Sequence, residues 1–176
     1  FRHQNRRDPD SAAGDRKLTT GEIRDTIEKA HKIGAEKITL LVEESIEVSY
    51  LTEVLDCIQT MEIKAEVFTC GNHITADTAH LLLDRKVDII LTDPARPCFE
   101  TALSNLLDAG YPTPAASLAV HAPVTRDNMK DLAALWQRAR KNRITPIFEV
   151  RDPAREDLYS SLPDPGDTQT LFKELA

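Results

Sequence analysis

The sequence of 176 residues lacks the features that mark several special classes of protein. No stretch approaches 18 consecutive apolar residues, and residues 1–7 contain no apolar signal core, so we expect neither a membrane span nor a secretion signal. Three widely spaced cysteines resemble neither a disulfide framework nor a zinc knuckle. The sequence therefore predicts a cytoplasmic protein.

Basic residues are also too few for a protein that binds the phosphates of nucleic acids. The chain has 22 lysines and arginines against 29 aspartates and glutamates, which gives a formal net charge of −7. Proteins that bind a phosphate backbone usually present a basic face. We therefore expect no nucleic-acid partner.

Short apolar runs alternate with amphipathic segments of helix length. The runs that we predict to be strands are Lys37–Val42, Ala65–Thr69, Val87–Thr92, Ser117–Val120 and Thr145–Val150. This alternation is typical of right-handed βαβ units and a parallel sheet. The nucleotide-binding motifs Gly-x-Gly-x-x-Gly and Gly-x-x-x-x-Gly-Lys are absent from the sequence, which disfavours an open doubly wound sheet. We predict an α/β protein: a partial parallel (β/α) barrel of the TIM-barrel type over residues 19–176, after a flexible polar lead at residues 1–18.

Local signals mark the ends of several predicted helices. Thr19 and Glu22 have the spacing of a capping box, and Thr75 and Asp164 are predicted to cap two later helices. Gly110 follows an apolar stripe and is predicted to end its helix.

Polar residues follow each predicted strand, where a parallel barrel has the mouth of its active site. They are Glu43, Glu44, Cys70, Asn72, His73, Thr92, Asp93, His121, Glu149 and Arg151. Together they are polar enough to bind a small ligand, although the loops after parallel strands are polar in general. Cys70 and His73, with Cys98 and His121, include the residue types of a metal site, but their spacing does not support one and we predict none.

The two adjacent glutamates of this set also have two interpretations. Like-charge repulsion between Glu43 and Glu44 would raise one pKa and produce a general acid. However, adjacent residues at the end of a strand point to opposite sides. We therefore favour solvated loop carboxylates.

Three stretches of the sequence, Leu18–Ser45, Ala65–Thr92 and Asn105–Val150, resemble successive units of one protein family. They are similar to the second to sixth strands and intervening helices of radical S-adenosylmethionine (radical SAM) enzymes. The resemblance covers about three quarters of the chain. It implies a radical SAM-type barrel in which a reduced [4Fe–4S] cluster cleaves S-adenosylmethionine to a radical that abstracts a substrate hydrogen.

The resemblance also suggests roles for particular residues. Glu44 would receive the amino group of S-adenosylmethionine, and Thr69, Gly71 and Thr92 would line its binding surface. The family's Cys-x-x-x-Cys-x-x-Cys motif, which holds the cluster, is absent from the chain. We expect the first strand and these cysteines to lie before Phe1, and the chain alone to bind no cluster.

Departures from the family pattern are confined to the mouth of the barrel. Glu43-Glu44-Ser45 stands where the family has Gly-Glu-Pro, and Cys70 replaces an asparagine. Two hypotheses follow. The chain is the barrel of a radical SAM enzyme, inactive in isolation, or it is a degenerate, non-catalytic barrel that binds a ligand or a partner. For the second hypothesis, the exposed edge of the first strand would favour association or instability.

Overall fold

The computed structural model describes residues 18–42 and 46–150, and also Gly166, Gln169 and Lys173, which are helical and exposed. Helices and strands alternate through the two described ranges. They are α1 (Thr20–Lys32), β1 (Lys37–Val42), α2 (Val48–Thr60), β2 (Lys64–Thr69), α3 (Ala76–Asp84), β3 (Asp88–Thr92), α4 (Pro97–Ala109), β4 (Leu118–Pro123), α5 (Met129–Lys141) and β5 (Thr145–Glu149). Each of the five predicted strands is therefore present, with ends that shift by up to three residues.

The strands form one all-parallel sheet in the order β1-β2-β3-β4-β5, which confirms the predicted α/β class. Every strand pairs with the next one in sequence, so right-handed crossovers place the connecting helices on the same face. Alternate residues of β2 reflect this arrangement, because Ala65, Val67 and Thr69 are buried whereas Glu66 and Phe68 are partly accessible. We call the face that carries Phe68 the open face.

Burial of aliphatic side chains between the helices and the sheet supplies the main stabilisation. The largest fully buried side chains include Leu51, Leu55, Ile58, Leu82, Ile89, Leu91, Phe99, Leu103 and Leu106. Burying each such side chain contributes roughly 1.5–3 kcal/mol. A smaller cluster, separate from the main core, is formed by Leu132 of α5 with Ala122 of β4 and Val124 directly after it.

The predicted helix ends are confirmed where the structure describes them. Thr19 and Glu22 form the reciprocal capping box of α1, and the Thr75 hydroxyl accepts a hydrogen bond from the Thr78 N–H at the start of α3. Gly110 ends α4 with a φ of 111°. Asp164, the predicted cap of a terminal helix, lies outside the described residues.

Charged side chains of the open face form a network at the amino ends of β1, β2 and β3. The Asp88 carboxylate lies 3.1 Å from Lys37 Nζ and 3.0 Å from Lys64 Nζ, and it accepts a 2.8 Å hydrogen bond from the Ser117 N–H. Burial alone would raise the pKa of Asp88, but these hydrogen bonds outweigh burial and lower it to about 2. A hydrogen bond with Glu66 raises the pKa of Lys37. The network therefore stabilises the end of the sheet opposite the candidate site.

Candidate functional site

Three polar side chains meet on the open face at the carboxyl ends of β3, β4 and β5. His121 is the centre of this group: its Nδ1 lies 3.1 Å from Thr92 Oγ1, and its Nε2 lies 3.2 Å from Glu149 Oε2. The His121 side chain is 17% exposed, so it is shielded but still reachable from solvent. The ring of Phe68 packs against the imidazole with a centroid distance of 5.5 Å. We call Thr92, His121 and Glu149 the strand-end triad.

The contacts of His121 suit one tautomer of its imidazole. With the proton on Nε2, which faces the Glu149 carboxylate at 3.2 Å, Nδ1 accepts a hydrogen bond from the Thr92 hydroxyl. A hydroxyl that donates to an imidazole oriented by a carboxylate is the arrangement that activates a nucleophile.

The backbone that follows β2 and β3 adopts an unusual conformation. Gly71 has a φ of 96° and Asp93 a φ of 59°. The other positive φ angles of the described chain fall at helix ends, where they are common; they belong to Gly34, Glu62, Lys86, Gly110 and Arg143. Asp93 is the one non-glycine residue of the described chain that takes this conformation directly after a strand, which costs about 1 kcal/mol or more. The turn next to Thr92 is therefore held by its surroundings.

The turn after β2 is built by Thr69 and Gly71. The Thr69 hydroxyl accepts a 3.0 Å hydrogen bond from the Gly71 N–H, and the side chain is 1% exposed on the helix-covered face. A Cβ atom added to Gly71 would lie 2.5 Å from the Cβ of Ala102 in α4. The absence of a side chain at Gly71 therefore allows α4 to approach the turn closely.

The three cysteines lie at two separate places in the fold. Cys98 donates a 3.3 Å hydrogen bond to the carbonyl oxygen of Cys70, and burial followed by the proximity of Cys70 raises the pKa of Cys98. Cys57 is buried in α2. Within residues 18–42 and 46–150, no three histidine, cysteine, aspartate or glutamate side chains converge on one point.

His73 is a buried imidazole in the turn that precedes α3. It is 8% exposed, and neither ring nitrogen has a hydrogen-bond partner among the described residues. Burial lowers the pKa of His73, so the ring is neutral at pH 7.

A separate cavity of about 370 Å³ lies on the helix-covered side, between α4 and α5. Apolar side chains such as Phe99 and Leu132 form part of its wall. Arg138 and Glu100 join the two helices through a 2.7 Å ion pair. The residues that line the cavity do not include any member of the strand-end triad.

The structure places the predicted site residues in two groups. Thr92 meets His121 and Glu149 on the open face, whereas Thr69 and Gly71 form the adjacent turn. Glu44, the predicted ligand of the cofactor amino group, lies outside the described residues, as do Glu43 and Arg151. The sequence interpretation did not include Phe68, although strict alternation along β2 assigns it to the same face as Glu66.

A scan against protein-family models finds no match for this chain, and a search of the curated proteins likewise finds none. Among the described residues, no helix combines the length and the apolar character needed to cross a membrane. Any assignment of function therefore depends on the residues and the geometry of the chain itself.

Proposed function

We propose that this chain is part of a radical SAM-type (β/α) barrel that holds S-adenosylmethionine at the carboxyl edge of its sheet. The observation that carries the proposal is the sequential, all-parallel sheet, whose open face presents Thr92 and His121 at that edge. In parallel barrels the carboxyl ends of the strands carry the active site, and the opposite ends carry stabilising contacts. The charged network at the amino ends agrees with this division.

The residues at this edge fit S-adenosylmethionine in chemical type. The Thr92 hydroxyl and the His121 imidazole would bond the polar groups of the ligand, and the Phe68 ring would contact its apolar surface. Thr69 and Gly71 would act indirectly, since the Thr69 hydroxyl and the Gly71 N–H are bonded to each other. When bound beside a reduced cluster, the cofactor would supply the radical that abstracts a hydrogen atom from the substrate.

The cysteines of this chain do not fit a [4Fe–4S] cluster. Such a cluster is commonly held by several thiolates that converge on it, whereas Cys57 is buried within α2, and Cys70 and Cys98 lie near each other at the sheet edge. We therefore propose that the cluster ligands lie outside this chain and that the chain alone does not cleave S-adenosylmethionine. The proposed setting is the cytoplasm, with a small-molecule substrate and no nucleic-acid partner.

The proposal is tested by titrating the chain with S-adenosylmethionine in a calorimeter. We expect saturable binding that Thr92→Val weakens about threefold to tenfold, the usual contribution of one hydrogen bond. Thr39→Val is the matched control, because Thr39 also donates to a side chain on the open face, Glu66 Oε1 at 2.8 Å, but lies at the opposite end. Absence of binding, or equal weakening by both variants, would reject the proposal.

A second candidate function is a non-catalytic module that associates through its open face or sheet edge. Leu41 is 65% exposed and Ile147 is 38% exposed, and both lie on the open face. All-parallel sheets are usually covered on both faces, so apolar residues there favour a partner. Sedimentation over a range of concentrations tests this candidate: a monomer at every concentration argues against self-association, and a Leu41→Lys variant that stays monomeric while the parent dimerises supports it.

A further inference from the structure

We propose that the strand-end triad is a nucleophile–base–carboxylate site that transfers acyl groups from small esters, with Thr92 as the nucleophile. This activity requires neither S-adenosylmethionine nor a cluster, although it uses Thr92, His121 and Phe68, the side chains that the proposed function assigns to S-adenosylmethionine; acylation of Thr92 and binding of the cofactor are measured separately. Three features of the fold support this site: the order in which Thr92, His121 and Glu149 contact one another, the backbone that follows Thr92, and the surface beside Thr92.

The order of the three groups is that of an activated hydroxyl. Thr92 Oγ1 is 3.1 Å from His121 Nδ1, within reach for proton transfer, and the other ring nitrogen is held by Glu149 at 3.2 Å. The carboxylate orients the imidazole and stabilises the imidazolium that forms when the Thr92 proton is taken up. In serine proteases Nε2 of the histidine faces the nucleophile and Nδ1 faces the carboxylate. Here Nδ1 faces Thr92 and Nε2 faces Glu149, and the proton still passes from the hydroxyl to the imidazole.

The backbone next to Thr92 supports a positioned nucleophile. Thr92 is the last residue of β3, and the chain turns at Asp93 through a φ of 59° before α4 begins. An Asp93–Arg96 ion pair of 2.9 Å closes this turn. Unusual backbone conformations of this kind concentrate at functional sites.

The surface beside the strand-end triad indicates the class of ester. In the sheet register, Leu41, Phe68 and Ile90 lie side by side on β1, β2 and β3, one step from Thr92 toward the amino ends of the strands. Phe68 also contacts the His121 ring. An ester with a short apolar acyl or alkyl group would therefore rest on this row while its carbonyl carbon faces Thr92.

The proposed step conserves atoms and charge. Thr92 Oγ attacks the ester carbonyl carbon while its proton passes to His121 Nδ1. The bond from the carbonyl carbon to the leaving oxygen then breaks, and the imidazolium protonates that oxygen where the alcohol requires it. Water attacks the acyl-threonine with His121 again accepting the proton, and the Thr92 hydroxyl is restored. No oxidant or reductant takes part.

The test uses the full chain with 4-nitrophenyl acetate and 4-nitrophenyl butyrate, and follows 4-nitrophenolate release and the intact mass. We expect a burst of product and one acyl group on Thr92, located by peptide mass spectrometry. We expect His121→Gln and Thr92→Val to lower the rate at least about a hundredfold, in line with the contribution of general-base and nucleophilic groups. Thr92→Ser retains the hydroxyl and should remain reactive.

Two control variants separate this site from general surface reactivity. His80→Gln removes an exposed imidazole of α3, and Thr39→Val removes a hydroxyl at the other end of the open face; both should react like the parent chain. Circular dichroism establishes that each variant is folded. The proposal is overturned if the acyl group is found on another residue or if Thr92→Val releases 4-nitrophenolate as fast as the parent. It is also overturned if the rates of the parent and of Thr92→Ser are no higher than the rate of His121→Gln.

Discussion

Asp88 allows the electrostatic reasoning about this fold to be tested with a single substitution, Asp88→Asn. The carboxylate is 3% exposed and contacts Lys37, Lys64 and the Ser117 N–H within 3.1 Å. Asparagine has nearly the same shape and its oxygen still accepts from Ser117, so the substitution removes the charge and replaces the oxygen that contacts both lysines with an amide NH2. The two lysines are more than 40% exposed, so water can solvate them in the variant.

The expected magnitude follows from the pKa of Asp88. Its fall from the usual 3.8 to about 2 corresponds to about 2 kcal/mol of unfolding free energy, at about 1.36 kcal/mol per pH unit. Because the folded-state pKa lies below the unfolded-state pKa, this stabilisation is present above pH 3.8 and is lost as the pH falls through about 2. About 1 kcal/mol of it should be lost by pH 3.

The assay is urea unfolding of the parent chain and the variant at pH 7, 5, 4 and 3. We expect Asp88→Asn to cost about 2 kcal/mol at pH 7, and the difference between the two proteins to shrink toward pH 3. The matched control is Asp56→Asn, which breaks an ion pair of 3.0 Å with Arg85 in which the aspartate is 56% exposed. That exposed pair should contribute less than about 1 kcal/mol. Equal costs for the two variants, or a cost for Asp88→Asn that is unchanged at pH 3, would refute the reasoning.

Two further predictions concern the turn after β2 and the cysteines. Gly71→Ala should cost about 2 to 4 kcal/mol of unfolding free energy, because φ is 96° and the new methyl group would meet Ala102. The control is Gly21→Ala, where the nearest atom lies 4.0 Å from the added Cβ; it should be neutral or stabilising by up to about 1 kcal/mol. An unchanged unfolding free energy for Gly71→Ala would contradict the close packing of α4 against this turn. Anaerobic reconstitution of the chain with iron and sulfide should yield no stoichiometric [4Fe–4S] absorption, since one of the three cysteines is buried inside α2. A full cluster signal that survives desalting would disprove this.

Much of the candidate site could be predicted from the strand ends, but its internal contacts could not. The sequence places Thr92, His121 and Glu149 at or near the ends of three strands, and the pairing of these strands brings them to one edge. Which of the strand-end residues touch one another depends on the stagger between strands and on the face that each residue takes. Thr69 illustrates this, because it pairs with the buried Leu91 in the sheet register and so lies on the helix-covered face, whereas Thr92 lies on the open face.

Local chemistry in the sequence determined the elements of this protein. The alternation of apolar runs with amphipathic segments, the capping box at Thr19 and the glycine that ends α4 act over a few residues, so the order and type of the elements follow without tertiary information. Tertiary structure alone decided that Asp88 joins two lysines and that His121 joins a hydroxyl to a carboxylate. These contacts link residues 24 to 51 positions apart, and their geometry depends on the register and twist of the sheet, which no short segment specifies.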